Sequence, residues 1–321
     1  MNLREAVAAA LAQEMRRDER VFVLGEDVEP GGVFKATAGL YEEFGPSRVR
    51  NTPISEQAIL GAAIGAAMTG MRPVAEIMFA DFMAVAWDYV ANEMSKLRYM
   101  SDGQASLPLV VRAANGGGVR LGAQHSQAIE NWAMAVPGLK VVSPSNPSDA
   151  AGLLAASIRD PDPVIFLESK ALYAAKGEVA SGEFFVPLGQ ASTVRRGRDA
   201  TVVSIGSMVP RSIEAAEVLA SEGIDVSVID LRTLVPLDLT AVFADVRRTG
   251  CLFTVEENPR LCGWGAEISS LVAEELFDDL DGAIVRITTP HIPLPFAENL
   301  EDEALPSVAR IAETIGRRLR G

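Results

Sequence analysis

Short apolar strands alternate with helical patterns along most of the chain, and this alternation constrains the fold more than any other feature. Leu3, Val7, Leu11 and Met15 are spaced as on one face of a helix, and Val21–Leu24 follows as a short apolar run. Strands that are separated by helices pair in parallel and form an open sheet that is covered on both faces. The pattern therefore predicts an α/β fold with mostly parallel, doubly wound sheets.

The alternation occurs in two rounds, separated by a segment without clear periodicity. The first round includes Met83–Arg98, which has the pattern of one helix, and the second begins with an apolar strand at Ala200. A chain of 321 residues also exceeds the size at which a single hydrophobic core usually stops growing. We therefore expect two tandem domains, residues 1–175 and 199–321, joined by a linker at residues 176–198.

Charge and composition exclude several classes of protein. The net charge of −14 disfavours attraction to the phosphates of nucleic acid. The longest uncharged stretch, Gln57–Met71, is shorter than the roughly 20 residues that a membrane-spanning helix needs. No signal peptide pattern opens the sequence, so we expect a cytoplasmic protein. Cys251 and Cys262 lack the spacing of a zinc or redox motif.

Two ionisable residues are candidates for chemistry, although the common nucleotide-binding, hydrolase and metalloprotease motifs are absent. His125 is one of only two histidines and follows a glycine-rich stretch that begins at Asn115, just after an apolar strand. Ligands bind at this edge of open parallel sheets. The alternative interpretation is a solvated loop histidine, and the residues alone do not decide between them.

Glu56 is the second candidate, because it lies in the first turn of an otherwise apolar helix that should begin near Ser55. An acid at this position stabilises the helix dipole by about 0.3–1 kcal/mol. Alternatively, a carboxyl group beside an apolar wall retains its proton more readily and shares it with a ligand nitrogen. Spacing does not choose between these interpretations. Gly61 and Gly65 share one face of the same helix, which predicts close approach of another backbone.

The stretch Asn51–Gln57, followed by the helix with two glycines and Arg72-Pro73-Val74, resembles the beta subunit of the thiamine-diphosphate-dependent component of 2-oxo acid dehydrogenase complexes. The resemblance extends over nearly the whole chain. It implies a transketolase-like pyrimidine-binding domain followed by a transketolase-like C-terminal domain. Further matching motifs are Gly25-Glu26-Asp27, Phe79-Ala80-Asp81-Phe82, Gln124-His125-Ser126-Gln127, Pro137-Gly138-Leu139-Lys140-Val141-Val142, Asp230-Leu231-Arg232-Thr233, Pro290-His291 and Pro295-Phe296.

The resemblance also implies roles for individual residues. Glu56 matches the acid that faces the pyrimidine ring of thiamine diphosphate, where a hydrogen bond favours the imino tautomer that activates the cofactor. Phe82 matches the aromatic residue that packs on the pyrimidine, although a phenylalanine in the core is the simpler alternative. His125 matches the histidine that helps to steer the intermediate or lipoyl group and supplies a proton during reductive acylation.

Metal ions are implied in two places. A run of oxygens holds structural potassium in some members of the family, and some of these members have asparagine where this chain has Asp162. The matching residues here are Leu109, Ser157, Ile158, Asp160 and Asp162. Thiamine enzymes hold magnesium on a Gly-Asp-Gly motif, for which this chain offers only Ser101-Asp102-Gly103 with Asn131 downstream. Because Asp102 follows a helix and the leading glycine is absent, the magnesium should be held mainly by an alpha subunit.

The resemblance therefore implies an alpha-two beta-two heterotetramer that works with a lipoyl acyltransferase core. Pyruvate is the favoured substrate, with branched-chain 2-oxo acids and acetoin as alternatives. A transketolase is disfavoured because its magnesium motif usually lies on the same chain. A non-catalytic subunit that docks the acyltransferase core is an alternative of another class. Such a subunit has no need of Glu56 or His125, whereas the catalytic hypothesis requires both.

Overall fold

The computed structural model of the chain describes residues 1–321 and contains two sheets with helices on both faces. The α-helices are α1 Leu3–Arg17, α2 Leu40–Phe44, α3 Glu56–Met68, α4 Leu97–Met100, α5 Glu130–Met134, α6 Pro147–Arg159, α7 Met208–Ser221, α8 Leu239–Thr249, α9 Trp264–Glu275, α10 Glu298–Ala304 and α11 Val308–Arg320. The strands are β1 Val21–Gly25, β2 Val49–Asn51, β3 Arg72–Phe79, β4 Val110–Asn115, β5 Lys140–Val142, β6 Val164–Ser169, β7 Ser192–Arg195, β8 Ala200–Ser204, β9 Val226–Asp230, β10 Thr233–Val235, β11 Leu252–Pro259 and β12 Val285–Thr289. The predicted α/β class with mostly parallel sheets is confirmed.

The first sheet has seven strands in the order β10-β5-β6-β4-β3-β1-β2. Six of these strands are parallel, so their carboxyl ends lie along one edge. The seventh, β10, pairs antiparallel with β5. It comes from the second half of the chain, so the first sheet is completed by residues beyond the first domain.

The second sheet has the order β12-β11-β8-β9-β7, and only β7 is antiparallel to its neighbour. Strand β7 lies within residues 176–198, the segment that the sequence predicts to be a linker. It is a short strand at the edge of the sheet, and its central residues are exposed, which explains why it has no clear apolar pattern. The preceding residues 176–191 contain no helix or strand.

Three hydrophobic cores fill the spaces around the sheets. One lies under α1 and α6 of the first domain, and another lies under α7 and α11 of the second. The third and largest contains residues of both domains, including Leu60 and Ile77 of the first and the fully buried Trp264 of the second. The two domains therefore share one continuous apolar layer.

Helix α3 begins where the sequence predicts it. The hydroxyl of Ser55 accepts a hydrogen bond from the backbone N–H of Ala58, a typical N-terminal cap. Glu56 is consequently the first helical residue, and it follows β2 after a four-residue connection at residues 52–55. No helix in the fold is both long enough and apolar enough to cross a bilayer.

The segment that the sequence predicts as one helix, Met83–Arg98, is divided into three short pieces. A 3₁₀ helix at Ala80–Ala86 is followed by a π-helix at Tyr89–Met94 and then by α4.

A β-carbon at Gly61 of α3 would lie 3.2 Å from the ring of Tyr89, so that glycine accommodates an aromatic side chain rather than a backbone. Gly65 is exposed and has open space beside it.

Candidate active site

Three residues selected in the sequence analysis, Glu56, Phe82 and His125, lie at the carboxyl edge of the first sheet. Glu56 follows β2, Phe82 follows β3, and the His125 loop, residues 115–127, begins at the last residue of β4. Strands β4, β3, β1 and β2 are successive neighbours in the sheet. Loops at the carboxyl ends of parallel strands form the ligand sites of open α/β sheets. The fold therefore brings the three side chains to one edge.

Glu56 is half-buried, and its carboxylate makes no hydrogen bond or ion pair within the chain. The next residue, Gln57, donates a side-chain hydrogen bond of 3.2 Å to the carbonyl of Val85, which ties the start of α3 to the 3₁₀ helix that carries Phe82. Burial and then the neighbouring carboxylates of Asp27 and Glu56 raise the pKa of Glu26. The acid at residue 56 is thus a hydrogen-bond acceptor that no other residue of this chain uses.

Phe82 and His125 are in contact. Their ring centroids are 5.2 Å apart, and both rings also pack edge-on against Phe79, at 5.6 Å from Phe82 and 4.7 Å from His125. Phe82 and His125 are half-buried, so each presents part of its surface to the edge. Edge-to-face contacts of this kind contribute about 0.5–1.5 kcal/mol each and fix the orientation of the rings. The imidazole therefore has a defined position beside an aromatic surface.

Carboxylates hold the backbone of the His125 loop at both ends. Glu257 of β11 accepts a hydrogen bond from the N–H of Gly117, and Glu301 of α10 accepts one from Gly118 at 2.9 Å. At the other end, Asp81 accepts two hydrogen bonds of 3.0 Å from the backbone and side chain of Gln127. Two of these three anchors belong to the second domain, so both domains position the loop.

The glycines of this loop allow that close approach. Gly116 has a φ of +81°, and a β-carbon there would lie 2.5 Å from Oε1 of Glu257. At Gly117 a β-carbon would lie 2.7 Å from the side chain of Leu294. Larger residues at either position would separate the loop from the second domain.

Two buried ionisable groups lie next to the loop. Burial and then the neighbouring Glu257 raise the pKa of Glu130 to about 7, and hydrogen bonds from Asn258 and Asn115 oppose that shift. Burial also lowers the pKa of Lys170 to about 8. Lys170 follows β6, and its Nζ lies 5.5 Å from the centroid of the Phe79 ring without a hydrogen-bond partner. The sequence analysis did not select either residue, because nothing in the local pattern marks them.

A cleft of about 680 Å³ separates the two domains beside the His125 loop. Ser126 and Asn131 line it from the first domain, and Glu257 and His291 line it from the second. The hydroxyls of Ser126 and Thr289, on opposite walls, are buried and have no hydrogen-bond partner. Glu56, Phe82 and His125 do not line this cleft.

The residues matched to a potassium site lie together near the amino-terminal end of β6, but cations of the chain already contact several of them. Nη1 of Arg72 donates to the carbonyls of Ile158 at 2.7 Å and Asp160 at 3.3 Å. The Asp160 carboxylate pairs with Lys140 at 2.6 Å. The remaining contacts are from Arg98 to the Asp162 carboxylate, from Val164 to the Leu109 carbonyl, from Asp160 to the Ser157 carbonyl and from the Ser157 hydroxyl to Leu153. Each carbonyl keeps a second lone pair, and potassium binding stays a prediction.

The magnesium motif of thiamine enzymes has no structural counterpart at Asp102. This residue is exposed and follows α4 rather than a strand, and Asn131 instead donates its side-chain amide to the carbonyl of Cys262 at 2.8 Å. No group of three or more His, Cys, Asp or Glu side chains in the structure could hold a metal ion.

Comparison with known proteins identifies both domains. Residues 1–176 match the transketolase pyrimidine-binding domain, and residues 189–311 match the transketolase C-terminal domain. A solved structure described as a split-gene transketolase, inactive beta4 tetramer, superposes with a TM-score of 0.81 at 25% identity, covering 100% of this chain and 98% of that one.

Relatives with closer sequences carry related names. The acetoin:2,6-dichlorophenolindophenol oxidoreductase subunit beta of Cupriavidus necator is 46% identical over 100% of this chain and 98% of its own length. The pyruvate dehydrogenase E1 component subunit beta of Rhizobium meliloti is 47% identical over 98% of this chain and 69% of its own length. The 2-oxoisovalerate dehydrogenase subunit beta of Bacillus subtilis is 47% identical over 94% and 93%, respectively.

The pyrimidine-binding domain indicates thiamine diphosphate as the cofactor, and the subunit names indicate that such chains work with a partner subunit. The residues present fit the pyrimidine half of that cofactor, because Glu56 is an acceptor without a partner and Phe82 offers an aromatic face at the same edge. With its fold, both of its domains and its whole length matched, the chain belongs to the family of transketolase-like beta subunits of pyruvate, acetoin and branched-chain 2-oxo acid dehydrogenases.

Proposed function

We propose that this chain is the beta subunit of a 2-oxo acid dehydrogenase that decarboxylates pyruvate and transfers the acyl group to a lipoyl group. The observation that carries the proposal is the free carboxylate of Glu56 at the sheet edge that also holds the paired rings of Phe82 and His125. Branched-chain 2-oxo acids and acetoin are the alternative substrates. Relatives named for each of the three classes are 46–47% identical to this chain, so overall identity does not distinguish the substrates.

Glu56 acts on the cofactor. Bound thiamine diphosphate supplies the carbon nucleophile and accepts the electrons released when carbon dioxide leaves. Glu56 would share a proton with the pyrimidine nitrogen, a position that its place at the start of α3 and its lack of partners leave available. Phe82 supplies a flat apolar surface on which the ring packs. His125, held by Phe79 and Phe82, directs the lipoyl group and donates a proton during acyl transfer.

A partner alpha subunit completes the site. It holds the diphosphate and the magnesium ion, since this chain has no Gly-Asp-Gly motif. The outer face of α3 supports an interface there, because it is apolar and exposed at Ala58, Ala62, Gly65 and Met68. An active site shared between two chains also explains why Glu56 lies at an open edge rather than in an enclosed cavity. We propose an alpha-two beta-two heterotetramer that docks on a lipoyl acyltransferase core.

The experiment is reconstitution of the chain with its alpha subunit, followed by assay of pyruvate, branched-chain 2-oxo acids and acetoin with an artificial oxidant and with the acyltransferase complex plus NAD. Glu56→Gln should lower turnover by at least about 100-fold, because the proton is no longer held at the pyrimidine nitrogen. The free energy of unfolding should change by less than about 1 kcal/mol, the contribution of a first-turn acid. Assembly should be unchanged.

The matched control is Glu267→Gln, which removes an exposed first-turn acid from α9, a helix of similar length. This variant should keep full turnover. Normal turnover by the Glu56 variant would refute the catalytic role and favour the alternative of an assembly subunit.

A further inference from the structure

Lys170 is a buried cation that neither the proposed chemistry nor the sequence motifs use. The residue is 4% exposed, and its Nζ has no hydrogen-bond partner. It follows β6 at the same sheet edge as His125, and its ammonium lies over the ring of Phe79, which also contacts the His125 imidazole at 4.7 Å. A lone buried ammonium is costly unless nearby negative charge compensates it.

Four carboxylates provide that compensation, and they come from four different elements. In order of their effect on Lys170, they are Asp81 after β3, Glu257 of β11, Glu301 of α10 and Glu130 of α5. Each favours the charged form of Lys170 and so opposes the burial that lowers its pKa to about 8.

The same four carboxylates anchor the His125 loop. Asp81 accepts from Gln127, Glu257 from Gly117, Glu301 from Gly118, and Glu130 from the side chain of Asn115 at 2.8 Å. These bonds are spread from the first residue of the loop to its last. One oxygen of Asp81 is left buried without a partner, as is the hydroxyl of Ser126 within the loop. Each of these four carboxylates thus holds the loop by a hydrogen bond.

We propose that Lys170 is a positioning residue whose ammonium is the shared counter-ion of the four carboxylates that fix the His125 loop. Ionised carboxylates are stronger hydrogen-bond acceptors than protonated ones. Glu301 also pairs with Arg120, whereas Asp81, Glu257 and Glu130 form no ion pair. Without the ammonium these three carboxylates would lack a counter-ion in a buried space, so some would take up protons and release their loop N–H groups. The imidazole of His125 would then lose its fixed position against Phe79.

Hydrogen exchange of the isolated chain tests this proposal without any assay of activity. In Lys170→Met, amides of residues 115–127 should exchange at least about tenfold faster than in the wild type. Amides of α8, residues 239–249, should be unchanged. Lys170→Arg keeps the charge and should retain protection of the loop. Wild-type exchange of the loop in the Met variant, or equal acceleration throughout the chain, would overturn the proposal.

The second readout rests on the proposed function. In the reconstituted enzyme, Lys170→Met should lower lipoyl-dependent turnover about tenfold, while decarboxylation with an artificial oxidant changes by less than about threefold. The ratio of the two rates should also fall above about pH 8 in the wild type, as Lys170 loses its proton, but not in Lys170→Arg. Equal losses in both assays would contradict the positioning role. If no substrate is turned over by the wild type, the proposed function fails, whereas hydrogen exchange still decides the role of Lys170.

Discussion

The position of His125 depends on groups from both domains. Its ring is held between Phe79 and Phe82, and its loop is anchored by residues of both domains. The sequence identifies this histidine by its place after a glycine-rich stretch. The aromatic contacts that orient it could not be predicted, because they depend on where β3 and β4 end relative to each other.

His125→Ala should impair acyl transfer to lipoamide by about 100-fold or more, a typical loss for a proton-donating side chain. Decarboxylation measured with an artificial oxidant should fall much less, because that assay needs no lipoyl group. His291→Ala, which removes the only other histidine, is the control and should preserve the ratio of the two rates. Equal losses in both assays for the His125 variant would count against its role in acyl transfer.

At the scale of single elements, the His125 loop combines an unusual backbone with close packing, and the two effects can be measured separately. Gly116 and Gly39 have nearly the same positive φ, +81° and +82°. A β-carbon at Gly116 would contact Glu257, whereas one at Gly39 would meet nothing within 4 Å. The pair therefore differs in packing but shares the same left-handed φ.

Gly39→Ala should lower the free energy of unfolding by about 1–2 kcal/mol, which is the strain of a left-handed residue. Gly116→Ala should lower it by about 1–3 kcal/mol more, since the loop must also move away from Glu257. Urea denaturation of both variants measures the difference. Equal effects would mean that the loop tolerates the added carbon and that Glu257 adjusts without loss.

Elements with strong patterns were predictable, and those defined by neighbours were not. Helix α3 begins at its predicted cap, and strand β8 begins at Ala200, as the apolar pattern predicts. By contrast, β10 has only three residues and becomes a strand only because β5 offers an unpaired edge. Glu257 and Glu301 lie 140 and 183 residues from the glycines that they bind, so no local pattern could reveal them.

At the scale of the whole molecule, Asp230 links the two domains. It is fully buried at the end of β9 and accepts hydrogen bonds from the hydroxyl of Ser145 in the first domain and from the backbone of Arg232. Burial raises the pKa of Asp230 to about 7, partly offset by the hydrogen bond from Ser145. The folded chain therefore binds a proton at Asp230 more readily than the unfolded chain does.

This raised pKa predicts how stability depends on pH. The contribution of Asp230 is fully present below about pH 4, the ordinary value of an aspartate, and is lost as the pH rises through about 7. Asp230→Asn removes this titration. Between pH 5 and pH 8, the free energy of unfolding should therefore fall by roughly 2 kcal/mol less in the variant than in the wild type. Parallel pH profiles in urea denaturation would show that Asp230 titrates normally.

The hydrogen bonds from the His125 loop to Glu257 and Glu301 affect what happens when domains of different family members are combined in one chain. A chimera that takes its first domain from this chain and its second from another member of the family keeps Glu56, Phe82 and His125. It will still lose the correct placement of the imidazole unless the donor supplies acids at the positions equivalent to 257 and 301. In a library of such chimeras, those that lack an acid at either position should lose activity as active-site variants do. This should hold although both positions lie in the second domain.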